Sequence, residues 1–416
     1  MTNSTIPTVV LSPFFCEGNE EGKKKARKML SQGCSEYGVF QVVNHGVPLG
    51  LLSRAMDTSK TFFAYPAEEK HKISPDPVAL FPAGYNYSRD KLKEDFFMCS
   101  PTTTYNVFPS DPPEFRNVME ELFANFSNLG QLVEGILNDC LGLPPNFLKN
   151  YNHDRDADLL AVFKYLPATK VGDLGNAPHR DASSITLLFQ DEVGGLEFQK
   201  NGEWLPVTPT EGAIVVNVGD VIQVLTNNKI MSATHRVVSP KGRTRLSLAY
   251  NYNLGGNTWV EPLSQFTQES GPKYRRYLQK EYVALRLKQK AHPPSRNEDR
   301  ISIDYYAISA QDFGCSSLAL ENDERVQVLT NKKIMSGIHR VVSPKGRNRL
   351  SFVYSYNLEG NTWVEPLSQF TQGTGPKYRG YLQKDYVALR LKQKAHPPSR
   401  NEDRITVDYY AISALE

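Results

Sequence analysis

The sequence of 416 residues predicts an α+β, mostly β fold, a helical first half followed by an antiparallel barrel or jelly roll. Three observations predict it. Apolar residues recur at helical spacing in the first part of the chain. After Leu159 the pattern shortens to strand-length runs broken by turn residues. One of those turns, Asn201-Gly202 between alternating apolar residues, is a strong signal for a two-residue hairpin. Short strands at turn-spaced intervals behind a helical half close into a barrel or sandwich that the helices support.

In order along the chain, "EEGKKKARKMLSQGCSEYG" carries Ala26, Met29, Leu30 and Cys34 on one helical stripe. Its basic run, residues 22–28, is the solvated face of that helix. "VFQVVNHGV" follows as a strand. A long helix over about Glu114 to Leu141 sets Val118, Leu122, Phe123, Phe126, Leu129, Leu132 and Val133 on one side. "GLEFQKNGEWLPV" is the hairpin, and "AIVVNV" is a strand with Gly219-Asp220 as the turn behind it. "HRVVSPKGRTRLS" reads as a second hairpin turning at Pro240-Lys241-Gly242. That reading sets His235 opposite Ser247 and Val237 opposite Arg245, all four side chains on one face.

Composition narrows the function classes. Hydrophobic residues make up 40% of the chain, enough for a sizeable core. A net charge of +3, with no basic cluster interleaved with stacking aromatics, argues against a nucleic-acid partner. The five cysteines are scattered, odd in number and without a CxxC pair, which fits a reducing compartment. With no signal-peptide pattern and no apolar run of membrane length, the expectation is a soluble cytoplasmic protein without membrane partners.

The chain also repeats itself. Residues from about Gln223 to Ile308 match those from about Gln327 to Ile412 at a constant offset of 104, and "YVALRLKQKAHPPSRNEDRI" occurs identically in both. One close repeat indicates a tandem duplication or fusion of a C-terminal half; a solenoid needs three or more short units. The expected boundaries are 1–155 for a mainly helical region and 156–308 for a β-domain with a C-terminal helix. A linker over 309–324 and a duplicated segment over 325–416 follow.

Chemistry concentrates at "HRD", where His179 and Asp181 stand two apart, and at His235, 54 residues beyond Asp181. On a strand, positions i and i+2 share a face. Two histidines and one carboxylate form the facial triad of non-haem Fe(II) oxygenases, which leaves three coordination positions open. Arg245 suits the far carboxylate of a chelating 2-oxo acid, because its planar fork binds carboxylates bidentately. Ser247 adds a hydroxyl. His339 invites the same functional reading, whereas His45, His71 and His153 read as structural.

With these residues in place, the chain resembles the plant-type Fe(II)/2-oxoglutarate-dependent dioxygenases, the family of specialised-metabolite and hormone oxygenases. H-x-D…H matches at His179, Asp181 and His235, and R-x-S matches at Arg245-Leu246-Ser247. "IPTVVLSPF", "YGVFQVVNHGVP", "FFAYPAEEK" and "AGYNY" stand in the family's order, so the resemblance runs continuously from about residue 6 to about residue 308. It implies a distorted double-stranded β-helix with iron at its open mouth and 2-oxoglutarate and O2 as co-substrates. It also implies ascorbate as reductant and Tyr165 in "FKYLP" as a contact of 2-oxoglutarate. Where the family commonly has Asn two residues before that tyrosine, this chain has Phe163.

The implied enzyme is an oxidoreductase that hydroxylates, desaturates or demethylates a small organic molecule with release of succinate and CO2. The alternatives are a 2-oxoglutarate-independent oxidase of the same fold and an inactive fusion product. Neither the substrate nor the choice among the three outcomes is legible in the sequence.

The second copy repeats the motif as His339, Arg349 and Ser351 but contains no second HxD. Chain entropy barely discriminates between the two histidines, since the longer loop to His339 costs only about 1 kcal/mol more. The first copy emerges first and continues directly from "AIVVNVGD", so His235 is the expected ligand. The chain is expected to be a monomer, with a domain-swapped dimer as the other outlet for a half-barrel that lacks its partner. Limited proteolysis is expected to cut first between Ser309 and Glu324; gel and mass analysis of early fragments showing first cuts elsewhere would refute that boundary.

Overall fold

The first helix, α1 (Glu20–Glu36), begins where the Asn19 side chain accepts the Gly22 amide at 3.1 Å, and it buries Ala26, Leu30 and Cys34 with Met29 beside them. The computed structural model describes residues 6–75, 83–88, 92–291, 301–308, 328–329, 331, 333, 362–395 and 410–412. Backbone contacts divide the chain into two units, Met1–Ala307 and Ile308–Glu416.

In the first unit α1 is followed by α2 (Leu49–Ala64), α3 (Ala67–His71), α4 (Phe115–Cys140) and α5 (Phe147–Tyr151). The predicted stripe of α4 is buried from Val118 to Val133, except Leu132, which is half-buried at the edge of the core. Gly130 lies mid-helix because the ring of Tyr252 occupies the space that a Cβ would need, 2.5 Å away.

The strands are β1 (Thr8–Val10), β2 (Val39–Val43), β3 (Gly84–Ser88), β4 (Lys93–Cys99), β5 (Leu159–Tyr165), β6 (Leu174–His179), β7 (Ile185–Gln190), β8 (Leu196–Lys200), β9 (Glu203–Pro206), β10 (Ile214–Val218), β11 (His235–Val238) and β12 (Arg245–Tyr252). They build two sheets. The larger has the order β1-β2-β10-β7-β12-β5-β4-β3, and the smaller β6-β11-β8-β9. This is the double-stranded β-helix with supporting helices that the sequence predicts. Asn201 and Gly202 both have positive φ, 52° and 84°, as a type I′ turn requires, and they join β8 to β9.

The second predicted hairpin does not form. β11 pairs with β6 and β8, whereas β12 pairs with β5 and β7, so residues 239–244 cross from one sheet to the other. The crossing is pinned by Ser239 N to Asp173 O at 2.9 Å and Ala168 N to Pro240 O at 2.8 Å. Both strands are apolar on alternate positions, and each finds its partners in a different sheet. Gly219 is also more than a turn: it precedes α6 (Asp220–Leu225), and a Cβ there would meet Ser183 O at 1.9 Å.

Helix α4 is tied to β12 by buried polar groups. Glu134 accepts from Asn152 Nδ2 at 2.8 Å and Tyr252 Oη at 3.2 Å; Asp158 accepts from Tyr250 Oη at 2.6 Å and Asn253 N at 2.8 Å. Burial pushes both carboxyls up to about 7, against the pull of Asn152 and Arg155 on Glu134 and of Arg155 and Tyr250 on Asp158.

The second unit is described for fewer residues. Its strands β15 (Trp363–Val364) and β16 (Tyr381–Leu382) pair Trp363 with Leu382 and Val364 with Tyr381. The same local structure occurs in the first unit, where β13 (Trp259–Val260) and β14 (Tyr277–Leu278) pair Trp259 with Leu278 and Val260 with Tyr277. Asn227 and Asn331 make matching bonds, to Phe266 O and Gly271 O in the first unit and to Phe370 O and Gly375 O in the second. The linker 309–324 and the repeated site residues His339, Arg349 and Ser351 lie outside the described residues. Among those described, no helix is long and apolar enough to cross a membrane.

The raised carboxyls make a stability prediction. Between the ordinary carboxylate range and about pH 7, folded Glu134 and Asp158 keep protons that the unfolded chain releases, so stability falls as pH rises through that window. The melting temperature should drop from pH 5 to pH 8, and Glu134→Gln should make the drop shallower by calorimetry. An unchanged slope would place its source elsewhere.

Candidate active site

The smaller sheet sets the two histidines side by side. His179 ends β6, His235 begins β11, and the two are antiparallel partners in that ladder. Their rings lie 4.2 Å apart between centroids at 55°. Asp181 lies beyond the end of β6, so the loop rather than strand alternation brings its carboxylate in. Its backbone carbonyl is held there by Asp220 N at 2.8 Å.

Asp181 Oδ1 stands 3.7 Å from His179 Nε2 and 3.7 Å from His235 Nε2, and one ligand atom from each residue lies within 4.8 Å of the others. Each imidazole is oriented from behind. His179 Nδ1 donates to Ala177 O at 2.8 Å and His235 Nδ1 to Ala233 O at 3.0 Å. A carbonyl only accepts, so Nδ1 carries the proton and the Nε2 lone pair faces the carboxylate.

Burial and the neighbouring His235 push the His179 imidazole down to about 3. Burial works against the charge of Asp181, but His235, His179, Thr186 and Asn217 hold its carboxyl below the usual carboxylate range. At neutral pH, then, His179 is a neutral donor and Asp181 an ionised one, which is the state a metal ligand needs.

The larger sheet supplies the opposite wall. Arg245 opens β12 and pairs across with Tyr165, the last residue of β5. Its guanidinium lies 5.0 Å from the Tyr165 ring centroid, within cation–π range. It donates from Nη2 to Gln190 Oε1 at 2.9 Å and from Nη1 to Ser247 Oγ at 3.2 Å. Ser247 therefore backs Arg245. Burial lowers the guanidinium pKa, opposed by Tyr165 and Asp191, yet such a group stays charged. Its Nε is buried without a partner among the described residues.

One cavity of about 770 Å³ is lined by the triad, Tyr165 and Arg245 together. Two imidazoles and one carboxylate, clustered as found, fit an Fe(II) ion. A buried guanidinium with an unused donor fits the distal carboxylate of a 2-oxo acid.

Of the residues the sequence reading named, His179, Asp181, His235, Tyr165 and Arg245 line one cavity and Ser247 stands behind Arg245, but that reading set His235 and Arg245 in one hairpin when they occupy facing sheets. It also missed supporting residues. Asn217, from β10, donates to Asp181 Oδ2 at 3.4 Å, and Gln190 holds Arg245. A polar residue inside the apolar run "AIVVNV" was the available signal for Asn217. Arg286 was missed too: it lines the cavity from α7 (Gln279–Ala291), donating to Arg180 O at 2.6 Å and Asp220 Oδ2 at 3.2 Å.

Comparison with known proteins agrees with this geometry. Residues 155–254 match the 2OG-Fe(II) oxygenase superfamily, and residues 6–119 match the non-haem dioxygenase in morphine synthesis N-terminal family. A 1-aminocyclopropane-1-carboxylate oxidase of Musa acuminata is 33% identical over 303 residues, covering 69% of this chain and 96% of that protein. Jasmonate-induced oxygenase 1 of Arabidopsis thaliana is 32% identical over 278 residues, covering 64% and 68%. The crystal structure of the dioxygenase for auxin oxidation in rice superposes with a TM-score of 0.60 at 26% identity, covering 73% of this chain and 99% of that one.

Proposed function

The chain belongs to the 2OG-Fe(II) oxygenase superfamily, and from that premise we propose that His179, Asp181 and His235 hold its iron and that Arg245, Ser247 and Tyr165 hold its 2-oxoglutarate. The protein is an oxidoreductase acting on a small organic molecule. Iron, 2-oxoglutarate and O2 together supply the oxidation of a C–H bond coupled to loss of CO2 and release of succinate, with ascorbate as the customary reductant.

What the chain contributes is placement. The carbonyls of Ala177 and Ala233 keep two Nε2 lone pairs aimed at one point, and Asn217 holds Asp181 so that Oδ1 faces both. Arg245 is fixed by Gln190 and Ser247 before any ligand arrives, so little rotamer entropy is lost on binding. Apolar walls, including Leu188, Leu196 and Val237, keep water from the reacting centre. Hydroxylation, desaturation and demethylation all remain compatible with this arrangement.

The observation that carries this reading is the ladder position of His235 opposite His179, which supports the first copy over His339 as the source of the third ligand. A 2-oxoglutarate-independent oxidase is the second reading, favoured by the likeness to an aminocyclopropane carboxylate oxidase; stoichiometric succinate release excludes it. We further propose a cytoplasmic monomer, the compartment being supported by unpaired cysteines at 16, 34, 99 and 140. Light scattering of the full chain would reveal a dimer formed by exchange of the second copy.

The decisive comparison is His235→Ala against His339→Ala in the full-length protein, scored by anaerobic Fe(II) binding and succinate production. The first should lose turnover by more than about a hundredfold and the second should keep it; the reverse result would give the site to the second copy. Arg245→Lys should raise KM for 2-oxoglutarate by about tenfold or more, because a single ammonium cannot replace the bidentate fork. An unchanged KM would remove Arg245 from the co-substrate site.

A further inference from the structure

The inner face of the larger sheet carries a second cation that the iron and 2-oxoglutarate sites do not use. Lys93, at the start of β4, is the cross-strand partner of Tyr165, which is in turn the partner of Arg245. Direct partners share a face, so Lys93, Tyr165 and Arg245 form one row across three strands. At about 4.8 Å per strand, Lys93 starts about 10 Å from Arg245 along that row. It lines the same cavity as the triad.

The next row pairs Asp95 with Phe163 and Phe163 with Ser247. Lys93 Nζ reaches Asp95 Oδ2 at 3.1 Å, and the ammonium sits 4.6 Å from the Phe163 ring centroid. The two charged side chains are only 6% and 8% exposed.

Both charges are under-used. An ammonium has three donors, and its partners among the described residues, one carboxylate oxygen and one aromatic face, do not saturate them. The other oxygen of Asp95, Oδ1, is buried with no hydrogen-bond partner among the described residues. Two charges so placed are costly, and an apolar pair of equal volume would serve the fold as well or better. The surrounding wall is apolar and aromatic, formed by Phe97, Phe163, Leu159 and Leu174.

Resting on the oxygenase reading, we propose that Lys93 is the substrate anchor and that the substrate is a carboxylic acid with an apolar or aromatic body. Its carboxylate pairs with Lys93, and its body lies along Phe163 and Phe97 in the cavity that the triad shares. Asp95 is a positioning residue: it holds the ammonium against the Phe163 ring. On that side Lys93 meets the Phe163 ring, so among the described residues a donor is left for the incoming carboxylate.

The test is isothermal titration calorimetry on the anaerobic, Fe(II)-loaded full chain. Probes are a set of aryl and alicyclic carboxylates, cinnamate among them, each paired with its methyl ester, with 2-oxoglutarate titrated in parallel. Wild-type protein should bind the acids at least tenfold tighter than the esters. Lys93→Met should abolish that preference, and Lys93→Arg should restore most of it. Because Lys93→Met alone strands Asp95 without its partner, the Lys93→Met/Asp95→Asn protein, which removes both charges, is measured beside it and should behave the same way.

Affinity for 2-oxoglutarate should stay within twofold in every variant. No acid preference in wild-type protein, or one that survives both variants, overturns the proposal. Weakened 2-oxoglutarate binding in Lys93→Met overturns it as well, by assigning Lys93 to the co-substrate. Failure of wild-type protein to bind 2-oxoglutarate at all would instead defeat the oxygenase reading on which the proposal rests.

Discussion

The antiparallel register that sets His235 opposite His179 is the constraint on which the rest of the site depends. A slip of one residue in that ladder would turn His235 to the far side of the sheet, since side chains alternate along a strand. The register is held by more than its own hydrogen bonds. β8 pairs with β11 from the other side, and the β8–β9 turn at Asn201-Gly202 anchors β8. A tight turn far from the cavity thereby helps to decide where an imidazole nitrogen points.

The facing sheet is built on the same logic but carries charge. Its inner face is a lattice of direct cross-strand neighbours, with cations and their partners at the ends of β4, β5 and β12 and smaller residues such as Ala161 and Ala249 further along. Burying Arg245 is tolerable because Gln190, Ser247 and the Tyr165 ring surround it. Close packing enforces the arrangement from below: Gly175 leaves no room for a Cβ, which would stand 2.3 Å from the Tyr165 ring. The tyrosine is thus held between a glycine backbone and a guanidinium.

The repeated segment shows how much of this structure is local. Paired strands, a tyrosine cluster and an asparagine bonded to two carbonyls arise from the same residues in both units. That motif is complete within one copy of the repeat, its asparagine bonds spanning 39 and 44 residues. The iron triad has the opposite character, since it joins the end of one strand, the loop after it and the start of another strand more than fifty residues away.

By itself the sequence determined the order of elements, the stripe on α4, the hairpin at Asn201-Gly202 and the identity of the candidate metal and co-substrate residues. These are matters of residue type, period and spacing, all local quantities. It did not determine that "SPKG" carries the chain between sheets, because a turn of that composition serves a hairpin and a crossover equally well; only the partners waiting in each sheet decide. Nor could it set the Lys93–Asp95 pair against Phe163 and Tyr165, since that placement depends on how β4 registers against β5. Asn217, Gln190 and Arg286 were likewise polar residues without a visible purpose until the folded barrel placed them against Asp181, Arg245 and Asp220. Chemistry was written in the residues, and its geometry came from long-range strand pairing, which no local pattern encodes.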